Sequence, residues 1–391
     1  MTDTLVVWNE DLLGYDLGDH PLDPVRVELT IELARQLGVL DRPGVRLEAP
    51  AAADDEALLR VHTPGYLEAV KNATRATIGH GLNTPDNPVF PGMHHASALV
   101  VGATVRAAEA VWRGETTHAV SISGGLHHAM PDRASGFCVY NDPAVAIARL
   151  LDLGAERIGY VDVDVHHGDG VQEIFYDDPR VMTISLHETP LALFPGTGFP
   201  AETGGPDAAG TAINIALPPG TGDAGWLRAF HAVVPSALKT FHPQVLVTQC
   251  GADTHRLDPL ADLRLSVDGQ RATYLALRQL ADDLCEGRWI ATGGGGYALV
   301  EAVPRAWTHL LAIVSGDPLD PATETPLAWR ELASRRCPDR MCPDVMTDRA
   351  DPSFAPWSPG YDAPDAIDRA ILATRQAVFP LLGLDPADPR D

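Results

Sequence analysis

Positive charge is scarce in this chain. Its 391 residues carry 29 lysines and arginines against 53 aspartates and glutamates, a formal net charge of −24. That balance argues against broad electrostatic binding to nucleic acid or to an anionic membrane, both of which need a basic face. It favours the approach of cationic ligands such as lysine-bearing peptides or polyamines, although acidity that serves solubility alone gives the same composition. Cysteine is also scarce, and five in so long a chain make no disulfide framework. Cys337 and Cys342 lie close together without flanking histidines, so they read as loop chemistry rather than as half of a metal site. Long apolar runs are missing too. The longest, Ala96 to Trp112, is interrupted by Arg106 and Glu109 and cannot span a bilayer. The amino terminus lacks the basic start and apolar stretch of a signal peptide. The expectation is a cytoplasmic protein with neither nucleic acid nor membrane as partner.

What is present is an ordinary globular balance, 45% hydrophobic and 21% charged. Strand-like and helix-like segments alternate along it. The patterns predict helices over Val25–Leu37, His95–Trp112, Pro143–Leu153, Trp226–Phe241, Gly269–Cys285 and Val300–Val314. Asn141 and Asp142 are cap candidates for the third of these. Strands are predicted over Leu5–Trp8, Ala119–Ser123, Ile158–Val165, Val181–Leu186, Val245–Gln249 and Trp289–Thr292. Such alternation implies an α/β fold with a mostly parallel sheet flanked by helices. Residues 1–316 read as its main domain, and the Pro-rich stretch 317–391 as an extension wrapped on it.

Ligands of parallel sheets gather at the carboxyl ends of the strands, and the chemically informative residues sit there. In "DVDVHHGDG", Asp162 to Gly170, strand alternation would put Asp162, Asp164 and His166 on one face. Each alone reads as a hydrogen-bonded core residue. Together they read as ligands of a divalent ion, because buried carboxylates need a cation. "CGADTH" offers Asp253 as a further ligand, just past another strand. "SGGLHHAM" supplies His127 and His128, which are either simply exposed in a turn or, beside such a metal, a general base and acid. "TGGGGY" has neither the lysine of a Walker loop nor the spacing of a dinucleotide fingerprint. A phosphate nest there has no support, and the glycines read better as letting Tyr297 donate its hydroxyl proton to a developing oxyanion.

"GGLHHA", "DVDVHHGDGVQEIF", "ISLHE", "FPGTG", "CGADTHRLDPL" and "GGGGY" together resemble the zinc-dependent histone deacetylase superfamily, and within it the bacterial class I-like branch of acetoin-utilisation deacetylases. The likeness runs from Val6 to Gly316 in order and spacing. It implies the arginase/deacetylase-like fold and hydrolysis of Nε-acetyl-lysine, in an acetylated protein or peptide, to lysine and acetate. It matches Asp164, His166 and Asp253 to ligands of Zn²⁺, with Fe²⁺ as the alternative ion. His128 matches the general base and His127 an electrostatic helper or acid, with Asp162 and Asp169 orienting them. Tyr297 matches the tyrosine that polarises the acyl oxygen. Gly136, Phe137, Phe194 and Leu260 match tunnel walls, Gly295 a substrate contact, Asp86 a rim residue that grips substrate backbone, and Arg26 an arginine near the foot. A structural K⁺ or Na⁺ is implied at Asp162, Asp164, His166, Ser185 and Leu186, and part of a second such site at Phe175, Asp178 and Val181. Leu126 and the stretch Thr254-His255-Arg256 depart from the family pattern, which bears on substrate choice. His167 reads as structural. Rival readings are an acetylpolyamine amidohydrolase with the same chemistry, an arginase-like ureohydrolase, and a catalytically silent acyl-lysine-binding protein.

Overall fold

The computed structural model describes residues 3–391. In chain order the elements begin with β1 (Thr4–Val7), α1 (Val25–Gln36), β2 (Val45–Glu48), α2 (Asp55–Leu58), α3 (Pro64–Lys71), α4 (Met93–Trp112) and β3 (His118–Ser121). They continue with α5 (Asp142–Asp152), β4 (Ile158–Asp162), α6 (Asp169–Phe175), β5 (Val181–Glu188), β6 (Ala212–Leu217) and α7 (Asp223–Phe241). The last are β7 (Val245–Gln249), α8 (Val267–Leu284), β8 (Trp289–Thr292), α9 (Val303–Val314), α10 (Leu327–Arg336) and α11 (Ala366–Val378).

The strands form one sheet in the order β2-β1-β3-β8-β7-β4-β5-β6, and every neighbouring pair is parallel. Parallel pairing forces each connection to cross over, which puts helices on both faces and buries the strands twice. One apolar layer gathers Trp226, Phe230, Trp289 and Trp307, and the other Tyr66, Val100, Tyr140 and Ile147. β4 shows how a strand serves both: Val161 enters the first layer, Ile158 and Tyr160 the second. All strands point the same way, so their carboxyl ends share one edge. β3, β8, β7, β4 and β5 are consecutive there, and the polar loops singled out in the sequence meet side by side.

β4 is shorter than its apolar pattern predicts, ending at Asp162 rather than Val165. Asp162 Oδ1 accepts the backbone N–H of Asp164 at 3.2 Å, and Asp164 Oδ1 that of His166 at 3.0 Å. These local bonds replace the ladder, so Asp164 and His166 are aimed by turns and not by strand alternation. β5 runs on to Glu188, which puts Ser185 and Leu186 inside the strand.

Beyond α9 the chain holds two further helices. α10 lies on α1, where Trp329 Nε1 donates to the Leu29 carbonyl at 2.9 Å and Trp329, Ala333 and Met346 bury against Leu29, Leu33 and Val300. α11 covers the edge strand β6 and packs on α7, hiding a row of unpaired backbone groups. Among the described residues no helix is long and apolar enough to cross a membrane, and all five cysteines are free.

Candidate active site

Asp164 and His166 follow β4, and Asp253 follows β7, the strand beside it. His166 Nδ1 lies 3.2 Å from Asp164 Oδ1 and 3.3 Å from Asp253 Oδ2. Among the described residues these are the one buried group of three whose histidine and carboxylate donor atoms lie within 4.8 Å of one another. The other carboxylate oxygens are satisfied by neutral donors. Asp164 Oδ2 accepts from Gln249 Nε2 at 2.6 Å and from the Gly295 N–H at 2.8 Å, while Asp253 Oδ1 accepts from the Val165 N–H at 3.0 Å. The ion pairs of both carboxylates are with histidine alone. Burial opposes a charged imidazole, yet Asp164 and Asp253 lift His166 to about 10. Burial and the Asp164 charge together push Asp253 up to about 6. The cluster therefore draws in positive charge. Two carboxylates and an imidazole suit a divalent ion with an open position, and the surroundings are shaped to them. A Cβ on Gly295 would stand 1.9 Å from Asp253 Oδ2, so only glycine lets the backbone close over the donors.

The histidine pair sits in the loop after β3, held by the start of α5. Asn141 caps that helix by accepting the Ala144 N–H at 3.0 Å, and its Nδ2 donates to the His127 and Ala129 carbonyls at 3.0 and 2.9 Å. Asp142 accepts the N–H groups of Gly125 at 2.9 Å and Leu126 at 2.8 Å. The residues read as caps thus also shape the site. His127 Nδ1 is 2.7 Å from Asp162 Oδ2, which also accepts the Tyr160 hydroxyl at 2.6 Å. His128 Nδ1 is 2.6 Å from Asp169 Oδ1, and the two Nε2 atoms face each other at 3.0 Å. Burial disfavours charge on both rings. For His127 the carboxylates of Asp162 and Asp164 override it and raise the pKa to about 9. For His128 the charge of His127 adds to burial, Asp169 compensates only in part, and the pKa falls. The environment thus drives the pKa values of two like groups apart.

A channel of about 220 Å³ leads from exposed Asp86 to buried His128, His166 and Tyr297. Gly136, Phe137, Phe194 and Leu260 line it. The Phe194 ring lies 5.1 Å from that of His128, and Phe137 stands edge-on to Tyr297 at 5.7 Å. A Cβ on Gly136, whose φ is +50°, would meet His128 Cδ2 at 2.4 Å, which explains a glycine beside that ring. Burial and the nearby Asp253 carboxylate push the Tyr297 phenol well above its ordinary pKa, so it stays protonated as a donor. Below the channel, a space of about 10 Å³, room for about one water, touches Leu22, Leu126, Cys138 and Gly294. Arg26 lies under the Tyr297 ring, its guanidinium carbon 5.8 Å from the centroid, and donates to the Gly296 carbonyl at 3.0 Å.

Residues 20–314 match the histone deacetylase domain. The chain belongs to the histone deacetylase family. Acetoin utilization protein AcuC of Bacillus subtilis (strain 168) is 40% identical over 336 residues, 84% of this chain and 86% of that protein. The protein of that name from Staphylococcus aureus (strain MSSA476) is 36% identical over 333 residues, 83% of this chain and 85% of its own. The one from Staphylococcus xylosus is 35% identical over 331 residues, with the same shares. The family makes this chain a deacetylase, and so a hydrolase, of a fold that the parallel sheet fits.

Of the residues that the resemblance implies for two monovalent-ion sites, one set includes Ser185 and Leu186 inside β5 and the other leads into the start of that strand. Ser185 is level with Asp162 in the ladder, with Leu186 next to it. Phe175, Asp178 and Val181 form the turn before β5, where the Phe175 and Asp178 carbonyls accept the N–H groups of Asp178 and Val181. The Asp178 carboxylate there pairs with Arg180 at 2.6 Å. His167 turns away, with Nδ1 2.9 Å from Thr197 Oγ1 and Nε2 3.1 Å from Gln172 Oε1. Several contributors escaped the sequence reading. Gln249 closes β7 and Tyr160 precedes Asp162 by two on β4, so the strand-end rule and the two-residue period were signals for them. Asp258, which accepts the Tyr297 N–H at 2.7 Å, had no local signal. Nor did His20, whose ring stands edge-on to Phe137 at 4.4 Å.

Proposed function

We propose that this deacetylase is a zinc-dependent protein lysine deacetylase, hydrolysing Nε-acetyl-lysine in an acetylated protein or peptide to lysine and acetate. One observation carries the proposal: His166 Nδ1, Asp164 Oδ1 and Asp253 Oδ2 converge at the inner end of an aromatic-walled channel, beside histidines of split basicity. The aliphatic stem of an acyl-lysine fits between Phe137 and Phe194, and Asp86 at the outer end can accept substrate N–H groups. A zinc ion held by the three donors supplies Lewis acidity toward the acyl carbonyl and the attacking water. The chain's own groups do the rest. His128 donates its Nδ1–H to Asp169, which leaves Nε2 without a proton and able to take the water's once it exchanges its contact with His127 Nε2 for the water. As the water oxygen bonds to the acyl carbon, the Tyr297 hydroxyl donates to the oxyanion. When the C–N bond breaks, a protonated histidine returns a proton to the leaving amine. His127, fixed by Asp162, keeps positive charge beside that step.

A structural K⁺ or Na⁺ at Asp162, Asp164, His166, Ser185 and Leu186 belongs to the same proposal, as does a second at Phe175, Asp178 and Val181. So does a cytoplasmic location, where five free thiols stay reduced. The test is acetate release by chelated, then metal-reconstituted protein from acetyl-lysine peptides and from acetylspermidine. Zinc-restored turnover of the peptides is the expected result. Turnover of acetylspermidine alone would move the substrate to polyamines, and no metal-dependent release from either would overturn the reading.

A further inference from the structure

The carboxy-terminal extension lies beyond the matched family domain, yet one of its side chains reaches the loop that carries Asp253. His255, fully buried, has Nε2 2.7 Å from Asp348 Oδ2. The Leu257 N–H donates to His255 Nδ1 at 3.2 Å, so the proton sits on Nε2 and is donated to Asp348.

Both ends of this contact are informative. Asp348 is held from behind: Arg305 Nη2 of α9 donates to Oδ1 at 2.8 Å, and the Val267 N–H, at the start of α8, to Oδ2 at 3.0 Å. Asp268 of α8 accepts the Thr347 hydroxyl at 2.5 Å and the Asp348 N–H at 3.0 Å. Ahead of it, the His255 carbonyl accepts the Asp258 N–H at 2.8 Å. Asp258 in turn accepts the N–H groups of Leu260 at 3.0 Å and Tyr297 at 2.7 Å. On its other side the loop is bonded to the glycine run, with the Ala252 N–H donating to the Gly295 carbonyl at 2.8 Å. The His255 imidazole, with Arg256 Nη1 3.2 Å from the same Asp348 oxygen, thus ties a rigid anchor to a loop bearing Asp253, the wall residue Leu260 and the support of Tyr297.

We propose that Asp348 is a positioning residue: acting through His255 and Arg256, the extension clamps loop 253–260 and so holds Asp253 and Tyr297 in working register. The proposal rests on the metal site argued above. It assigns a role to the extension and to the departure from the family pattern at His255.

The test uses the full chain as Asp348→Asn and His255→Asn, with Asp368→Asn as control, since Asp368 anchors α11 through Arg228 and touches no part of the loop. Three quantities are read: Zn²⁺ affinity of the chelated protein, hydrogen exchange of amides 253–260, and Tm. Asp348→Asn and His255→Asn should weaken Zn²⁺ binding about 10- to 100-fold, as loss of an outer support does. They should also speed exchange in the loop by about tenfold, reporting a locally raised opening equilibrium. The control should lower Tm and leave both other readouts near wild type. Unchanged affinity and exchange in the clamp variants would overturn the proposal, as would an equal loss of affinity in the control. Should Asp348→Asn not fold, His255→Asn carries the test alone. A wild type that binds no divalent ion sinks the metal site itself, and the exchange rates then still decide the clamp.

Discussion

Asp164 and Asp253 at the site, and Asp348 and Asp368 in the extension, are all deeply buried, with side chains 1%, 0%, 7% and 1% exposed. Their company differs. Arg228 grips Asp368 through two bonds of 2.6 and 2.8 Å, and Arg305, Arg256 and His255 hold Asp348. Burial works against both carboxylates, yet these partners keep their pKa values below the ordinary range. At the site no arginine pairs with the acids: burial and the Asp164 charge push Asp253 up to about 6, while against its burial His127 and His166 hold Asp164 below the ordinary range. A fold that can place guanidinium groups against buried acids has left two acids without them. The paired acids hold the extension on. The acids paired with histidine alone suit a cation, as the proposed function requires, and perturbed pKa values of this kind cluster where chemistry is done.

The sharpest way to break this comparison is Asp253→Asn. The amide can still accept the Val165 N–H but no longer offers charge to an ion. We expect acetate release to fall by on the order of 10³-fold, since the metal's contribution is several kcal/mol, and bound zinc to drop in parallel. Metal-free protein should unfold at the same temperature or higher, because one of two repelling charges is gone. Normal turnover with full metal content would show that the two site acids have another purpose. Tyr297→Phe probes the other side of the same centre. It should lower kcat by about 10²- to 10³-fold with KM little changed, because the lost hydrogen bond is made to the developing oxyanion. An equal rise in KM would instead make Tyr297 a substrate-binding group.

The order of the strands' polar ends was readable because each strand is an apolar run stopped by glycine or charge, and parallel pairing brings such stops to one edge. The end of β4 was not. Val163 and Val165 continue an apolar alternation while the carboxylates of Asp162 and Asp164 capture the next N–H groups, and this competition is invisible in hydropathy. β2, whose Arg46 and Leu47 are exposed, lacks an apolar run altogether. The donor triad was legible from residue type and position. The bonds between Asp258 and Tyr297 and between His255 and Asp348 were not, since they join residues 39 and 93 positions apart and no local pattern records a contact of that length.

The extension's pairs offer the next test of the comparison. Arg228→Met keeps much of the side-chain volume and leaves Asp368 buried without its partner, which costs about 3 kcal/mol. Urea unfolding at pH 7 should show the loss, while kcat per folded molecule stays at the wild-type level. A loss below about 0.5 kcal/mol would put this pair with ordinary surface ion pairs and remove the contrast with the site.

The smallest effect is one of pH. The Asp368 carboxyl has a folded pKa below its unfolded value of about 3.9. The folded state therefore binds fewer protons than the unfolded state between those two values, and stability rises with pH across that window. The contribution of Asp368 is present above about pH 4 and is lost as acid carries the protein down through the folded pKa. Asp368→Asn removes it at every pH, although the amide still accepts from Arg228, so the variant should be less stable by about 1 kcal/mol at pH 6. That gap should close on acidification, and urea midpoints measured from pH 6 downward would follow it. A gap that stays constant with pH would mean that Arg228 holds this residue by geometry alone. The distinction between acids paired for stability and acids kept for a cation would then rest on Asp348.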